Sequence, residues 1–143
     1  MNLDPTLDTI IRYFETLTPE SVADIGEVYA ANARFKDPFN DVQGIAAIMH
    51  LYRHMFTQVD APCFVVKARM RAGDEAFLTW DLRFRMKRWR RGEQCIHGAT
   101  WLRLDREGRI LEHRDYWDAA EELYEKLPLL GGLMRLLKRR ARS

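Results

Sequence analysis

The chain has few of the residues that staple or punctuate a fold: two cysteines, five prolines and eight glycines in 143 residues. Cys63 and Cys95 lack CxxC or Cys/His spacing, which argues against a disulfide scaffold and a structural zinc site, and both read as small apolar strand residues. No apolar run is long enough to cross a bilayer, and MNLDPTLD at the start carries no basic-then-apolar leader, so a cytoplasmic protein is expected. Glycine-rich phosphate loops of the Walker or dinucleotide type are missing. So are internal repeats, linkers and low-complexity stretches, leaving one domain large enough to bury a core.

A strong excess of one charge is also lacking, since the net charge is +2. Its distribution is uneven: 11 of the 23 basic residues fall within 83–91 and 135–142. The first stretch, RFRMKRWRRGE, mixes aromatics with arginines in a way that also suits nucleic-acid backbones. Its alternation reads instead as an exposed hairpin, with Trp89 at the tip, and no nucleic-acid partner is expected.

What is present is periodicity. Asp4 and Pro5 supply a cap and first turn for a helix over 4–17, with Leu7, Ile10, Phe14 and Leu17 on one stripe. Thr18 before Pro19 starts a second helix over 20–33, where Val22, Ile25, Val28 and Tyr29 recur at helical spacing. Gly44 leads into a third, 45–56, with Ile45, Ile48, Met49, Tyr52, Met55 and Phe56 on its apolar face. After Pro62 the period changes to two. Segments 63–70, 75–89, 94–104 and 109–117 read as strands joined by RAGDE, RRGE and DREG. In the second of them Leu78, Trp80, Leu82, Phe84 and Met86 share one face, while Thr79, Asp81, Arg83, Arg85 and Lys87 share the other. Three helices followed by an antiparallel meander predict an α+β fold, a curved antiparallel sheet wrapped against helices around an apolar pocket. The expected domain is 1–128. Residues 129–143 form a basic amphipathic helical tail, either a lid over the pocket or a contact with an anionic membrane surface.

Within ARFKDPF, Asp37 sits among aromatics, where an ionised carboxylate without a partner is costly. Either it starts a turn before Pro38 or it does chemistry.

The spacing of Arg12–Tyr13, of Asp37–Pro38 and of GIAAIMHLY at 44–52 resembles the NTF2-like superfamily, in particular its ketosteroid isomerase and SnoaL-like polyketide cyclase branches. The likeness runs over roughly 7–118 and implies an NTF2-like, cystatin-like cone. It implies that Asp37 is a catalytic base, that Tyr13 donates to a developing enolate, and that Tyr52 supports Tyr13. Leu78, Trp80, Leu82 and Phe84 become cavity wall by that likeness, joined by Phe35 and Met49. Thr100 stands where the isomerases carry a protonated aspartic acid, so the oxyanion donor there is weaker. On the last strand His113, Asp115 and Trp117 point to the pocket, as in the cyclases, which place an acid/base aspartate on that strand. Asp115 is then a second catalytic carboxyl. The residues alone leave it open to a surface ion pair with Arg103 or Arg114, or to a bulge that swaps its face with Tyr116. His97 and His113 stand alone on their strands, so no metal is expected.

The expected activity is cofactor-independent proton transfer next to a carbonyl, as in an isomerase or cyclase, on a small hydrophobic ligand. The alternatives are a non-catalytic carrier of a hydrophobic or lipid-like metabolite, and a protein-interaction domain. A homodimer through the polar sheet face is expected from the resemblance.

Overall fold

A computed structural model describes residues 4–87 and 92–118. Helix α1, Pro5–Glu15, starts at the expected cap: Asp4 Oδ1 accepts the Leu7 N–H at 3.1 Å, and Leu7, Ile10 and Ile11 are buried. Helix α2 covers Ile45–Gln58 behind Gly44, whose φ of 95° lies in the left-handed region, and buries Ile48 and Tyr52.

The helix expected over 20–33 is corrected. A 3-10 helix spans Ser21–Glu27, opened by reciprocal bonds between Thr18 and Ser21, and strand β1 then runs Tyr29–Lys36. Val22, Ile25 and Val28 recur every three residues, which a 3-10 turn satisfies, and Gly26 weakens continuation as an α-helix. Beyond it, sheet pairing overrides the helical preference of the alanines. A short strand, β2 at Asp41–Gln43, pairs antiparallel to β1 and was not expected.

The other four strands are β3 Val59–Ala72, β4 Glu75–Met86, β5 Gln94–Leu104 and β6 Ile110–Tyr116. Strand β3 starts earlier than Pro62. The proline fits because β3 is an edge strand and its register shifts between Asp60 and Cys63. The sheet order is β2-β1-β6-β5-β4-β3, and β1 runs parallel to β6, so the six-stranded sheet is mixed rather than wholly antiparallel. Its inner face carries Leu78, Trp80, Phe84 and Leu102, and packs with Leu7, Ile10, Val22, Ile25 and Ile48 from the helices. Trp89 and the tail 129–143 lie outside the described residues, and so do the boundary at 128 and the lid or membrane role. Among the described residues no helix is long and apolar enough to cross a membrane.

Candidate active site

Between α2 and the inner face of the sheet lies a cavity of about 390 Å³. Phe35, Phe64, Trp80, Leu82, Phe84 and Trp117 form much of its apolar wall, and Asp37 and Asp115 supply carboxyl groups. Trp80 is held flat by its neighbour strand: a Cβ on Gly98 would come within 2.4 Å of the indole ring, so only glycine leaves the ring its place.

Asp115 is fixed from two sides. Its cross-strand partner Thr100 donates from Oγ1 to Asp115 Oδ1 at 2.5 Å, and His113 Nε2 lies 2.7 Å from the same oxygen. Thr100 in turn accepts the Trp80 indole N–H at 2.7 Å. Behind His113 the chain continues inward, from Nδ1 to the Tyr29 hydroxyl at 2.6 Å and from there to the Tyr52 hydroxyl at 3.0 Å. Tyr29 is fully buried and stacks on the His113 ring at an interplanar angle of 9°. Indole N–H only donates and a carboxylate only accepts, so Thr100 must turn its own proton to Asp115. In the tautomer that donates from Nε2, His113 Nδ1 accepts from Tyr29, which accepts from Tyr52. Every proton in the chain then points towards one carboxylate oxygen. Burial, foremost, holds both tyrosine hydroxyls well above their ordinary pKa, so they remain donors. Among the described residues no hydrogen bond reaches Asp115 Oδ2.

This placement resolves the face of Asp115. It points inward beside Thr100, while Arg103 pairs with Glu112 at 2.9 Å and Arg114 lies over the Tyr116 ring.

Asp37 is both turn residue and cavity residue. Its Oδ1 accepts the backbone N–H of Phe39 at 2.8 Å and of Asn40 at 2.7 Å and the Asn40 side-chain amide at 3.0 Å, closing the loop from β1 to β2, while among the described residues Oδ2 accepts one hydrogen bond, from Asn40 Nδ2 at 3.1 Å. Desolvation raises its pKa above the usual carboxylate value, against the loop amides that lower it, and the nearby Asp115 charge adds to the rise. Asp37, Asp115 and Trp117 also border a more open depression on the other side, with Lys36 and Arg114. The two carboxyl groups thus stand between the apolar cavity and a wetter surface.

Tyr13 stands elsewhere. Its hydroxyl donates to the Ser21 carbonyl at 2.8 Å, it is not among the cavity-lining residues, and burial with the Asp24 and Glu27 charges pushes its pKa up to about 12. The next residue, Phe14, is the one that reaches the network, edge-on to Tyr29 and His113 with centroids 6.1 and 5.7 Å away. Leu78 is buried in the core and Met49 packs against it, neither lining the cavity, and Thr100 and His113 are buried just behind its wall. The sequence reading missed Tyr29, which it had assigned to a helix, and the cavity residues Phe39, His50, His54, Met55 and Phe64. The helical spacing of His50, His54 and Met55 was the one signal available for the α2 side.

Residues 10–113 match the family model described as a SnoaL-like domain. By sequence, no functionally curated protein matches the chain. Solved structures are similar throughout. One is a putative SnoaL-like polyketide cyclase from Shewanella putrefaciens, 18% identical, covering 90% of this chain and 99% of its own with a TM-score of 0.73. A hypothetical protein with a ketosteroid isomerase-like fold from Catenulispora acidiphila, in complex with trimethylamine, is 17% identical over 85% of this chain and 92% of its own, at 0.72. An NTF2-like protein of unknown function from Burkholderia pseudomallei is 15% identical over 83% and 95%, also at 0.72. At such identities the likeness establishes the fold. The family match spans most of the chain and agrees with that fold: the protein belongs to the SnoaL-like domain family and has an NTF2-like fold.

Proposed function

We propose that the protein is an acid–base enzyme that moves a proton next to a carbonyl on a small, largely apolar molecule held in the cavity. The observation that carries this reading is Asp115, fixed at one oxygen by Thr100 and His113 at the wall of an apolar cavity that it shares with Asp37. Asp115 Oδ2 is the base: it takes a proton from the carbon adjacent to the carbonyl, and the C–H electron pair moves onto the carbonyl oxygen as an enolate. Asp37, which burial holds above the usual carboxylate range, shares that cavity and in its protonated form would donate a hydrogen bond to that oxygen in the role first expected of Tyr13. Return of the proton to another carbon gives isomerisation, and attack of the enolate carbon on an internal electrophile gives ring closure. Pairing of a raised and an available carboxyl in one site is the division of labour that such chemistry needs.

A second reading, a carrier for a hydrophobic metabolite, is favoured by one observation: the loop amides already saturate Asp37 Oδ1. The two readings separate when the molecule released on denaturing the purified protein is identified by mass spectrometry and offered back to it. Turnover that is lost in Asp115→Asn supports the enzyme; tight binding without turnover supports the carrier.

We also propose that two copies pair through the part of the outer sheet face nearest the β3–β4 turn, where Met70, Phe77 and Tyr116 are exposed apolar groups, leaving the Asp81–His97 pair outside the contact. Sedimentation of Phe77→Glu against the parent chain tests this, a shift to monomer being expected.

A further inference from the structure

On the sheet face turned away from the cavity, β4 and β5 bring together three side chains that the proton-transfer reading leaves without a task. Asp81 and His97 are cross-strand partners, and Cys95 stands opposite Arg83, two pairs further along. Residues two apart on a strand share a face, so Cys95 and His97 project on the same side as Asp81. A carboxylate oxygen, a thiol sulfur and an imidazole nitrogen from these residues lie within 4.8 Å of one another.

Those three donor types are ones that zinc selects, at bonds of about 2.0–2.3 Å, which sets tetrahedral ligand atoms roughly 3.5 Å apart. The longest separation here has to contract by about an ångström on that measure, a rotamer adjustment within a rigid ladder. The shortest, Asp81 Oδ1 to His97 Nδ1 at 2.6 Å, has to open as the ion takes the place of the shared proton. Asp81 is already oriented for this, because its other oxygen, Oδ2, faces Lys67 Nζ at 3.5 Å and its side chain is only 13% exposed. His97 is 63% exposed, so a water has access to the fourth position.

Charge decides which ion fits. Lys67 and Arg83 flank the cluster and oppose a bare dication. A carboxylate and a thiolate cancel the two charges of zinc, whereas calcium and magnesium need six or more oxygen ligands or retained waters that this cluster does not offer.

We propose that Asp81, Cys95 and His97 form a solvent-facing zinc site with three protein ligands and a water in the fourth position, on the outer face of the sheet. The site is separate from the cavity, and its occupancy does not depend on the proposed chemistry there.

The test uses the full chain, stripped with chelator and titrated with cobalt(II) as a spectroscopic probe and then with zinc. One equivalent of cobalt is expected to give tetrahedral d–d bands and a thiolate-to-metal charge-transfer band, both displaced by zinc and neither displaced by excess calcium or magnesium. Cys95→Ser removes the charge-transfer band. His97→Ala and Asp81→Asn each weaken zinc, measured against a chromophoric chelator, by more than about tenfold, the loss seen when an outer partner alone is removed. Circular dichroism confirms that the variants fold, and the two non-cysteine variants keep the test valid if Cys95→Ser does not. Absence of the charge-transfer band in the parent chain, its survival in Cys95→Ser, or zinc affinity unchanged in both other variants would overturn the site.

Discussion

Thr100 and Asp115 face each other across the β5–β6 ladder, with the threonine hydroxyl 2.5 Å from Oδ1 of the acid. The carboxyl at the cavity wall comes from β6, and the threonine on β5 holds it in place. This makes Thr100 a positioning residue. Replacing it with valine removes the donor to Asp115 and leaves the Trp80 N–H buried without an acceptor. Denaturant titration of Thr100→Val should show a loss of about 1–3 kcal/mol, and Thr100→Ser should recover much of it.

The buried tyrosines make a sharper comparison. Tyr29→Phe strips a partner from both Tyr52 and His113, and about 1–3 kcal/mol of stability should go with it. Tyr13→Phe loses one bond to the Ser21 carbonyl, so about 0.5–1.5 kcal/mol is expected, with ligand affinity unchanged. An activity loss confined to Tyr13→Phe would restore the role first expected of Tyr13.

Gly98→Ala drives a methyl group into the Trp80 ring. Overpacking of this kind costs about 1–3 kcal/mol, and because Trp80 is cavity wall, the melting temperature and the affinity for an apolar ligand should fall together.

Asp37 predicts a pH dependence whose sign follows from its raised pKa. The folded state disfavours the charged form, so the contribution is fully present below the ordinary value of 3.8 and is lost as pH rises through the elevated one. Stability of the parent chain relative to Asp37→Asn should therefore be greatest in acid and decline with rising pH. Paired urea titrations across that range measure it, and a difference that grows with pH would contradict the assignment.

Much of this was legible where a single period governs a segment. The caps of α1 and the alternation of Trp80, Leu82 and Phe84 gave a helix and a cavity wall directly, whereas Leu78 on the same face packs in the core. Tyr29 was not legible, because Val22, Ile25 and Val28 carry a helix-like spacing up to its edge and the ladder that makes it a strand lies at Ile110, far along the chain. The parallel pairing of β1 with β6 was hidden for the same reason. Tyr13 and Phe14 differ by one helical step, about 100° of rotation, which spacing to Asp37 cannot resolve. His97 looked solitary along its strand, since the carboxyl facing it comes from β4.

The central claim is that Asp115 is a base working on a carbon acid in the cavity. Proton NMR of a carbonyl ligand recovered from the protein, followed in deuterium oxide, tests it most directly. The parent chain should exchange the proton next to the carbonyl, and Asp115→Asn should slow that exchange by at least about a hundredfold while still binding the ligand. Exchange at the parent rate in Asp115→Asn, or none in the parent chain with the ligand bound, would contradict it.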